Sequence, residues 1–263
     1  MSVDKKGKTR EEIIKWRLGN MTKMAEEVRR TKDLKTLAKE NKYIRIGGEA
    51  YRAVSLNANF PLCGFTRGKS ENLETIDKHF KKEIDESLSL AETVLENKEE
   101  RRLQCWLIRE SLRKDRDLKS TLNLSNSPYD ELLFAVDEVS LGDKNHGPIY
   151  RCDILAVGVN ESRAFPVLIE LKSNRSKKTL EDQLENFCKE IRNHKNEFSS
   201  LLGICTGKKV LCDNPRKMII WPKNDSAQAT AHRRELNNKK IDVIEYTVTG
   251  SNMNDIQFNA SFF

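Results

Sequence analysis

The spacing of apolar residues changes along the chain, and the change separates strand-like segments from helical ones. Between residues 131 and 174, loop-like segments (GDKNHGP and NESR) separate three apolar runs, which read ELLFAVDEVSL, IYRCDILAVGV and AFPVLIELKSN. Runs of this length, rich in branched side chains and bounded by glycine, proline or asparagine, are typical of buried strands. We therefore predict three consecutive strands in the middle of the chain.

Helical spacing flanks these strands on both sides. Residues 73–118 form a helical stretch in which Leu103, Trp106 and Leu107 share one face. Residues 178–198 form another, and the run KMIIWP after it predicts a further strand; the apolar positions of this second helix are Leu180, Leu184, Phe187 and Ile191. The resulting order is helix, three strands, helix, strand, which places the fold in the α/β class.

The first 60 residues show a mainly helical pattern that ends in a hairpin signal. Thr9 and Glu12 match a capping box, which predicts a helix that we expect Gly19-Asn20 to end. Two more helical segments, KMAEEVRR and DLKTLAKEN, follow, and alternation on either side of Gly47-Gly48 predicts a hairpin. Three short helices and a hairpin are the order of elements in a winged-helix DNA-binding module. An N-terminal extension packed on the main domain explains the same pattern equally well.

The composition is that of a globular chain. Of the 263 residues, 37% are hydrophobic and 33% are charged, and no apolar run approaches the length of a membrane span. The N-terminal segment MSVDKKGKTREE has lysines without an apolar stretch after them, so we expect no secretory signal, no membrane association and a cytoplasmic location. The six cysteines include no CxxC pair and the four histidines show no ligand spacing, which argues against a structural zinc.

Positive charge is concentrated at the two ends of the chain. The formal net charge is +7; residues 1–60 carry 15 basic and 8 acidic side chains, and residues 201–263 carry 9 and 6. Basic surfaces attract polyanions through field steering and counterion release, although charge alone is a weak indicator of nucleic-acid binding. We therefore distinguish a basic N-terminal region, residues 1–70, from a main domain, residues 71–263.

Two charged residues interrupt the third predicted strand, in the segment VLIELKSN. Since alternate residues of a strand face the same side, Glu170 and Lys172 project together while their apolar neighbours face away. Asp153 lies in the preceding strand, 17 positions earlier, a hairpin-like spacing that brings both carboxylates to one edge of the sheet. In the alternative interpretation, Glu170 and Lys172 form an exposed salt bridge and Asp153 is an ordinary strand-end residue; against it, three charged residues converge at one edge of otherwise apolar strands.

These residues offer the ligands of a magnesium site. Two carboxylates and a main-chain carbonyl, that of Leu171, are hard oxygen ligands of the kind that Mg²⁺ prefers, and Mn²⁺ is expected to substitute. Beside such a metal, Lys172 would orient or deprotonate a water molecule aimed at phosphorus and offset charge developing in the transition state. The three charged residues thus predict metal-dependent hydrolysis of a phosphodiester.

Asp153 followed by Glu170-Leu171-Lys172 resembles the signature of the PD-(D/E)xK nuclease superfamily, which includes restriction endonucleases and recombination and repair nucleases. The predicted order of elements agrees with the core of that superfamily, so the resemblance implies a restriction-endonuclease-like fold in the main domain. Cys152 stands where the signature has its proline, a position that varies widely. The resemblance covers residues 99–222.

Two further segments extend the resemblance. QLENF, residues 183–187, resembles the Gln-x-x-x-Tyr element of RecB-like and NucS-like nucleases and offers Gln183, with Phe187 in place of the tyrosine. ERRLQCWL resembles the first core helix, whose glutamate approaches the metal; Glu100 is the candidate, with Glu99 and Glu110 as alternatives. Basic residues directly after the third strand suit phosphate contacts, namely Arg175, Lys177 and Lys178.

Together these patterns predict a Mg²⁺-dependent nuclease that hydrolyses phosphodiester bonds in DNA, in restriction, defence or repair. Catalysis is expected from Asp153, Glu170, Lys172, Gln183 and Glu100. Cleavage of both strands of a duplex usually requires two active sites, which a homodimer would supply; the sequence itself does not reveal the oligomeric state. The alternative function is a nucleic-acid-binding protein that keeps the nuclease-like fold without catalysis.

Overall fold

The computed structural model describes most of the chain after residue 98 and parts of the region before it. The described residues are 8–30, 43–46, 49–53, 56–57, 60–61, 65–68, 99–142, 145, 147–174, 180–249 and 255–263. Some sequence predictions lie outside this set: the helical segments at residues 33–41 and 73–98, and the basic residues Arg175, Lys177 and Lys178.

Six helices and eleven strands lie within the described residues. The helices are α1 (Arg10–Arg30), α2 (Glu99–Arg113), α3 (Leu118–Thr121), α4 (Leu180–Asn193), α5 (Lys195–Thr206) and α6 (Ala227–Asn238). The strands of the N-terminal region are β1 (Tyr43–Ile46), β2 (Glu49–Ala53), β3 (Leu56–Asn57), β4 (Phe60–Pro61) and β5 (Phe65–Gly68). Those of the main domain are β6 (Glu131–Leu141), β7 (Tyr150–Asn160), β8 (Arg163–Leu171), β9 (Arg216–Pro222), β10 (Ile241–Val248) and β11 (Ile256–Ser261).

The main domain is built on a six-stranded mixed sheet with the order β6-β7-β8-β9-β10-β11. β6, β7 and β8 are antiparallel neighbours, β9 and β10 run parallel to β8, and β11 is antiparallel to β10. Parallel neighbours need a crossover connection, which α4 and α5 provide between β8 and β9 and α6 provides between β9 and β10. The α/β class is therefore confirmed, and the three predicted strands correspond to β6, β7 and β8.

Helices bury both faces of this sheet. On one face, α1, α4, α5 and α6 contribute to a hydrophobic core that includes Leu184 and Phe198. On the other face, α2 and α3 contribute to a second core that includes Leu103 and Leu118. Because neither face is left to solvent, a central strand such as β7 is almost continuously apolar rather than alternating.

α1 is one continuous helix rather than two. Its start confirms the capping box, since Thr9 N donates to Glu12 Oε2 at 2.7 Å and Glu12 N donates to Thr9 Oγ1 at 3.3 Å. The prediction that Gly19-Asn20 ends this helix is wrong. An interior glycine costs a helix only about 1 kcal/mol, and burial of Ile14 and Leu18 in the core of the main domain outweighs that cost.

The N-terminal region contains the predicted hairpin. β1 and β2 pair on either side of Gly47-Gly48, with Ile46 opposite Glu49, and β5 pairs with β2 as the third strand of this sheet. α1 packs on the main domain, where Arg10 Nη1 donates to Glu190 Oε1 at 2.6 Å. The division of the chain at residue 70 stays a prediction.

Two predicted helices have different bounds in the structure. The helix predicted over residues 73–118 ends at Arg113, because Asp115 and Arg116 adopt left-handed φ angles of 51° and 73°. The helix predicted over residues 178–198 is divided at His194 into α4 and α5. Within the described part of the chain, no helix has the length and apolar character needed to cross a membrane.

Candidate active site

The hairpin of β7 and β8 determines which residues meet at its open end. A two-residue turn, Glu161-Ser162, joins the strands, and its φ angles of 48° and 68° match those of a tight hairpin turn. In the resulting register Ile154 lies opposite Ile169. Asp153 and Glu170 are the next residues beyond this pair, so the hairpin brings both carboxylates to the same end of the sheet.

The Asp153 side chain accepts a hydrogen bond from β8 just beyond the point where the backbone pairing of β7 with β8 stops. Beyond the last backbone pair of these two strands, the Leu171 N–H donates to Asp153 Oδ2 at 2.8 Å. Asp153 thus contacts the main chain directly between Glu170 and Lys172. The structure therefore brings together the three residues of the predicted metal and catalytic group.

The buried Glu170 and the half-buried Lys172 form an ion pair. Lys172 Nζ donates to Glu170 Oε1 at 2.8 Å and to the Leu171 carbonyl at 2.8 Å. Glu170 is only 3% exposed, so this is not the solvated surface pair that would explain the sequence pattern most simply. The Lys172 N–H donates to the Ile220 carbonyl of β9 at 2.9 Å, which fixes the chain at this point.

Burial and neighbouring charge act on both members of the pair. Burial raises the pKa of the Glu170 carboxyl, while Lys172 and Gln183 act in the opposite direction. For Lys172, burial acts against the charged form, but the nearby carboxylates of Glu170, Asp153 and Glu100 raise the pKa of the amine overall. In this arrangement Lys172 is an ammonium, which orients or donates to a water molecule rather than deprotonating it.

Gln183 reaches the pair from the first turn of α4. Its Nε2 donates to Glu170 Oε1 at 2.9 Å and to the Arg151 carbonyl at 3.2 Å, so one amide group links β7 to the buried carboxylate. Phe187, four residues later, is buried in the core, where its ring meets that of Phe198 at a centroid distance of 6.2 Å. Phe187, which stands where the Gln-x-x-x-Tyr element has its tyrosine, therefore packs α4 in the core.

Glu100 lies on α2, which packs on the opposite face of the sheet from α4, and it contacts the chain just after Lys172. Its Oε1 accepts hydrogen bonds from Ser173 N at 3.0 Å and from Ser173 Oγ at 3.4 Å, directly after Lys172. Glu110 is ten residues further along α2, or about 15 Å along the helix axis at 1.5 Å per residue. The structure thus places Glu100 against the segment that follows β8.

Gln104 is a member of the site that the sequence motifs do not indicate. Its Nε2 donates to the Asp153 carbonyl at 2.9 Å, and the residue is 7% exposed. The only signal in the sequence is its position four residues after Glu100, which places both side chains on one face of α2. The sequence does not show what this face of α2 packs against, so it does not distinguish Gln104 from an exposed helix residue.

Oxygen atoms of two predicted metal ligands converge on the Lys172 ammonium at the end of β8. Glu170 Oε1 and the Leu171 carbonyl oxygen each lie 2.8 Å from the Lys172 ammonium, so two of the predicted ligands already converge on a positive charge. Asp153, Glu170 and a carbonyl are hard donors that suit Mg²⁺ or Mn²⁺. In the described part of the chain, no three histidine, cysteine or carboxylate side chains are grouped closely enough to hold a metal ion. A metal here would therefore depend on the Leu171 carbonyl and on displacement of the ammonium.

Comparisons with known proteins give little further information. No family model and no curated protein matches the chain. Among solved structures, the chain is similar to the crystal structure of protein VC1899 from Vibrio cholerae, with 10% sequence identity and a TM-score of 0.22 over 86% of this chain. The chain spans about half the length of that protein, 47%. A TM-score this low does not indicate a shared fold, so function is inferred from the residues of the site.

Proposed function

We propose that this protein is a Mg²⁺-dependent nuclease of the PD-(D/E)xK type that hydrolyses phosphodiester bonds in DNA. The observation that carries the proposal is a single connected group of hydrogen bonds at the end of the β7–β8 hairpin. It joins Asp153 to the main chain at Leu171, Leu171 to Lys172, and Lys172 and Gln183 to Glu170. An ion pair of purely structural origin would not require a second carboxylate and a glutamine at the same place.

The order and direction of the elements support the same proposal. α2, the antiparallel strands β6, β7 and β8, the helices α4 and α5, and the parallel strand β9 follow one another along the chain. This order resembles the restriction-endonuclease-like core of helix, three strands, helix, strand. We infer that β10 and β11 extend this core beyond β9.

Each side chain has a separate part in the proposed reaction. Asp153, Glu170 and the Leu171 carbonyl would hold the metal ion, which would supply Lewis-acid polarisation of the phosphate and a water molecule of lowered pKa. Lys172 orients that water and offsets negative charge developing at phosphorus. Gln183 fixes the orientation of the Glu170 carboxylate.

The proposed DNA contacts lie next to the site in the sequence. Arg175, Lys177 and Lys178 follow Lys172 within six positions, and we assign them to backbone phosphates. The net charge of +7 favours association with a polyanion. A cytoplasmic location and a homodimer that supplies a second active site for the other DNA strand belong to the same proposal.

Incubation of the protein with supercoiled plasmid and with linear DNA tests the proposal. We expect cleavage in Mg²⁺ or Mn²⁺ and none in EDTA. Ca²⁺ should allow a stable protein–DNA complex without turnover, because it tolerates looser geometry and activates water poorly. Glu170→Gln should lose cleavage. The control Glu131→Gln removes an acid that pairs with Lys208 at the opposite end of the sheet and should retain cleavage.

The same assay distinguishes the alternative function. DNA binding that is retained while no divalent metal supports cleavage would favour an inactive nucleic-acid-binding protein with a nuclease-like fold. Equal cleavage in EDTA and in Mg²⁺ would refute the metal mechanism and the proposed family together.

A further inference from the structure

We propose that Gln104 is a positioning residue for the metal site: its side-chain amide holds the Asp153 main chain so that the Asp153 carboxylate stays aligned with the ligands on β8. This inference rests on the nuclease function proposed above. It extends the site to a residue outside the Asp153, Glu170 and Lys172 signature, on a helix that is distant from Asp153 in sequence.

The role of Gln104 follows from where the sheet ends. Regular pairing of β7 with β8 stops at Ile154, one residue before Asp153. From there on, the two strands are held by side chains: Asp153 Oδ2 accepts from Leu171 N at 2.8 Å, and Gln104 Nε2 donates to the Asp153 carbonyl at 2.9 Å. Gln104 thus supplies the Asp153 peptide with a contact that the backbone ladder to β8 no longer supplies.

α2 holds the ends of both strands at once. Glu100 and Gln104, one helical turn apart, share a face of α2. Glu100 Oε1 accepts from Ser173 N just after β8 at 3.0 Å, while Gln104 donates to Asp153 in β7. Leu107 of the same helix is fully buried in the core that α2 shares with this face of the sheet. A single helix therefore contacts both chain segments that carry the proposed ligands, beyond the point where the regular pairing of β7 with β8 stops.

The substitution Gln104→Met isolates this contact, because methionine is similar in length and volume but has no N–H donor. We expect the affinity for Mn²⁺, measured calorimetrically with the metal alone, to fall about tenfold, as is typical when a residue that orients a metal ligand is lost. In the metal-free protein, the Leu171 amide should exchange its hydrogen faster, because the Asp153 carboxylate that accepts from it is held less firmly. The KM for DNA should stay unchanged.

A control in the same helix separates positioning from general destabilisation. Ser111 is fully buried, and its Oγ donates to the Ile108 carbonyl within α2. Ser111→Ala should leave Mn²⁺ affinity and Leu171 exchange at wild-type values. Should Gln104→Met fail to fold, Gln104→Asn, which keeps the amide but withdraws it by one carbon–carbon bond, should show the same losses.

The outcomes separate this inference from the proposed function. If the wild-type protein binds no Mn²⁺ and cuts no DNA, the nuclease proposal fails, and the role of Gln104 fails with it. If the wild-type protein binds Mn²⁺ and a folded Gln104→Met or Gln104→Asn variant matches its affinity and its Leu171 exchange, only the role of Gln104 is refuted.

Discussion

Replacement of Lys172 is expected to strengthen metal binding and to abolish cleavage at the same time. In the structure, the Lys172 ammonium contacts Glu170 Oε1 and the Leu171 carbonyl oxygen, both at 2.8 Å. These are two of the three proposed metal ligands, so a divalent ion must displace the ammonium before it can bind. Lys172→Met removes this internal competitor but also removes the group that is proposed to orient water and offset charge.

The size of the effect follows from the contacts that the ammonium makes. A hydrogen bond to a charged group contributes about 1.5–3 kcal/mol net. If the wild-type protein must give up the bond to Glu170 when the metal binds, the variant gains about that amount in metal-binding free energy. Since 1.4 kcal/mol corresponds to a factor of ten, we expect Mn²⁺ to bind about 10- to 100-fold more tightly to Lys172→Met.

Calorimetric titration with Mn²⁺ measures this change; a mildly alkaline pH favours the ionised form of the Glu170 carboxyl, whose pKa burial raises. The control is Lys208→Met, which breaks the 2.6 Å ion pair with Glu131 at the opposite end of the sheet and should leave Mn²⁺ affinity unchanged. Mn²⁺ binding to Lys172→Met that is equal to or weaker than wild type would show that the ammonium does not occupy the place of the metal.

Three substitutions away from the site test the account of the fold through urea unfolding. Gly19→Ala should raise the free energy of unfolding by about 0.5–1 kcal/mol, because the added methyl group meets no atom within 4 Å; a decrease would contradict this. Gly158→Ala should lower it by about 1–3 kcal/mol, since the new Cβ would lie 2.9 Å from the rings of Tyr129 and Phe165. Tyr129→Phe removes the hydrogen bond to the buried Asp242, whose pKa burial already raises, and should cost about 1–3 kcal/mol at neutral pH. A raised pKa means that the folded protein binds the proton of Asp242 more tightly, so the contribution of Asp242 to stability falls as pH rises through the folded pKa. The hydrogen bond from Tyr129 favours the carboxylate form, so Tyr129→Phe should cost less at a pH below 3.8, where Asp242 is protonated in the folded protein, than at neutral pH. An equal cost at the acidic and the neutral pH would contradict this prediction.

The placement of the proposed metal ligands Asp153 and Glu170 at one end of the sheet is predictable from the sequence, because it depends on local pattern. Branched apolar runs identify β7 and β8, and a short connection between antiparallel strands allows few registers. Asp153 and Glu170 therefore have to meet near the end of the hairpin. The burial of the Glu170 side chain is not predictable in the same way, because it depends on contact with α4 and Gln183, which belong to a different element of the chain.

The supporting contacts are not predictable from the sequence because they join elements that are far apart in the chain. Gln104 stands in a segment rich in arginine and glutamate, and only the packing of α2 on the sheet shows that it is buried. The continuity of α1 through Gly19 has the same origin. A glycine is a helix-stop signal on its own, but the helix continues where the residues before it are held in a core that forms from β6, α4 and α5.

The packing of α1 also has a consequence for synthesis of the protein on the ribosome. The hydrogen bond between Arg10 and Glu190 joins residues 180 positions apart. At about 5–20 residues per second, roughly 10 to 40 s pass between translation of the two partners. During that interval Ile14 and Leu18 have no core to enter, so the apolar face of α1 is open to chaperones and to other unfinished chains. Folding of this helix onto its domain is therefore a late event, even though the helix is made early.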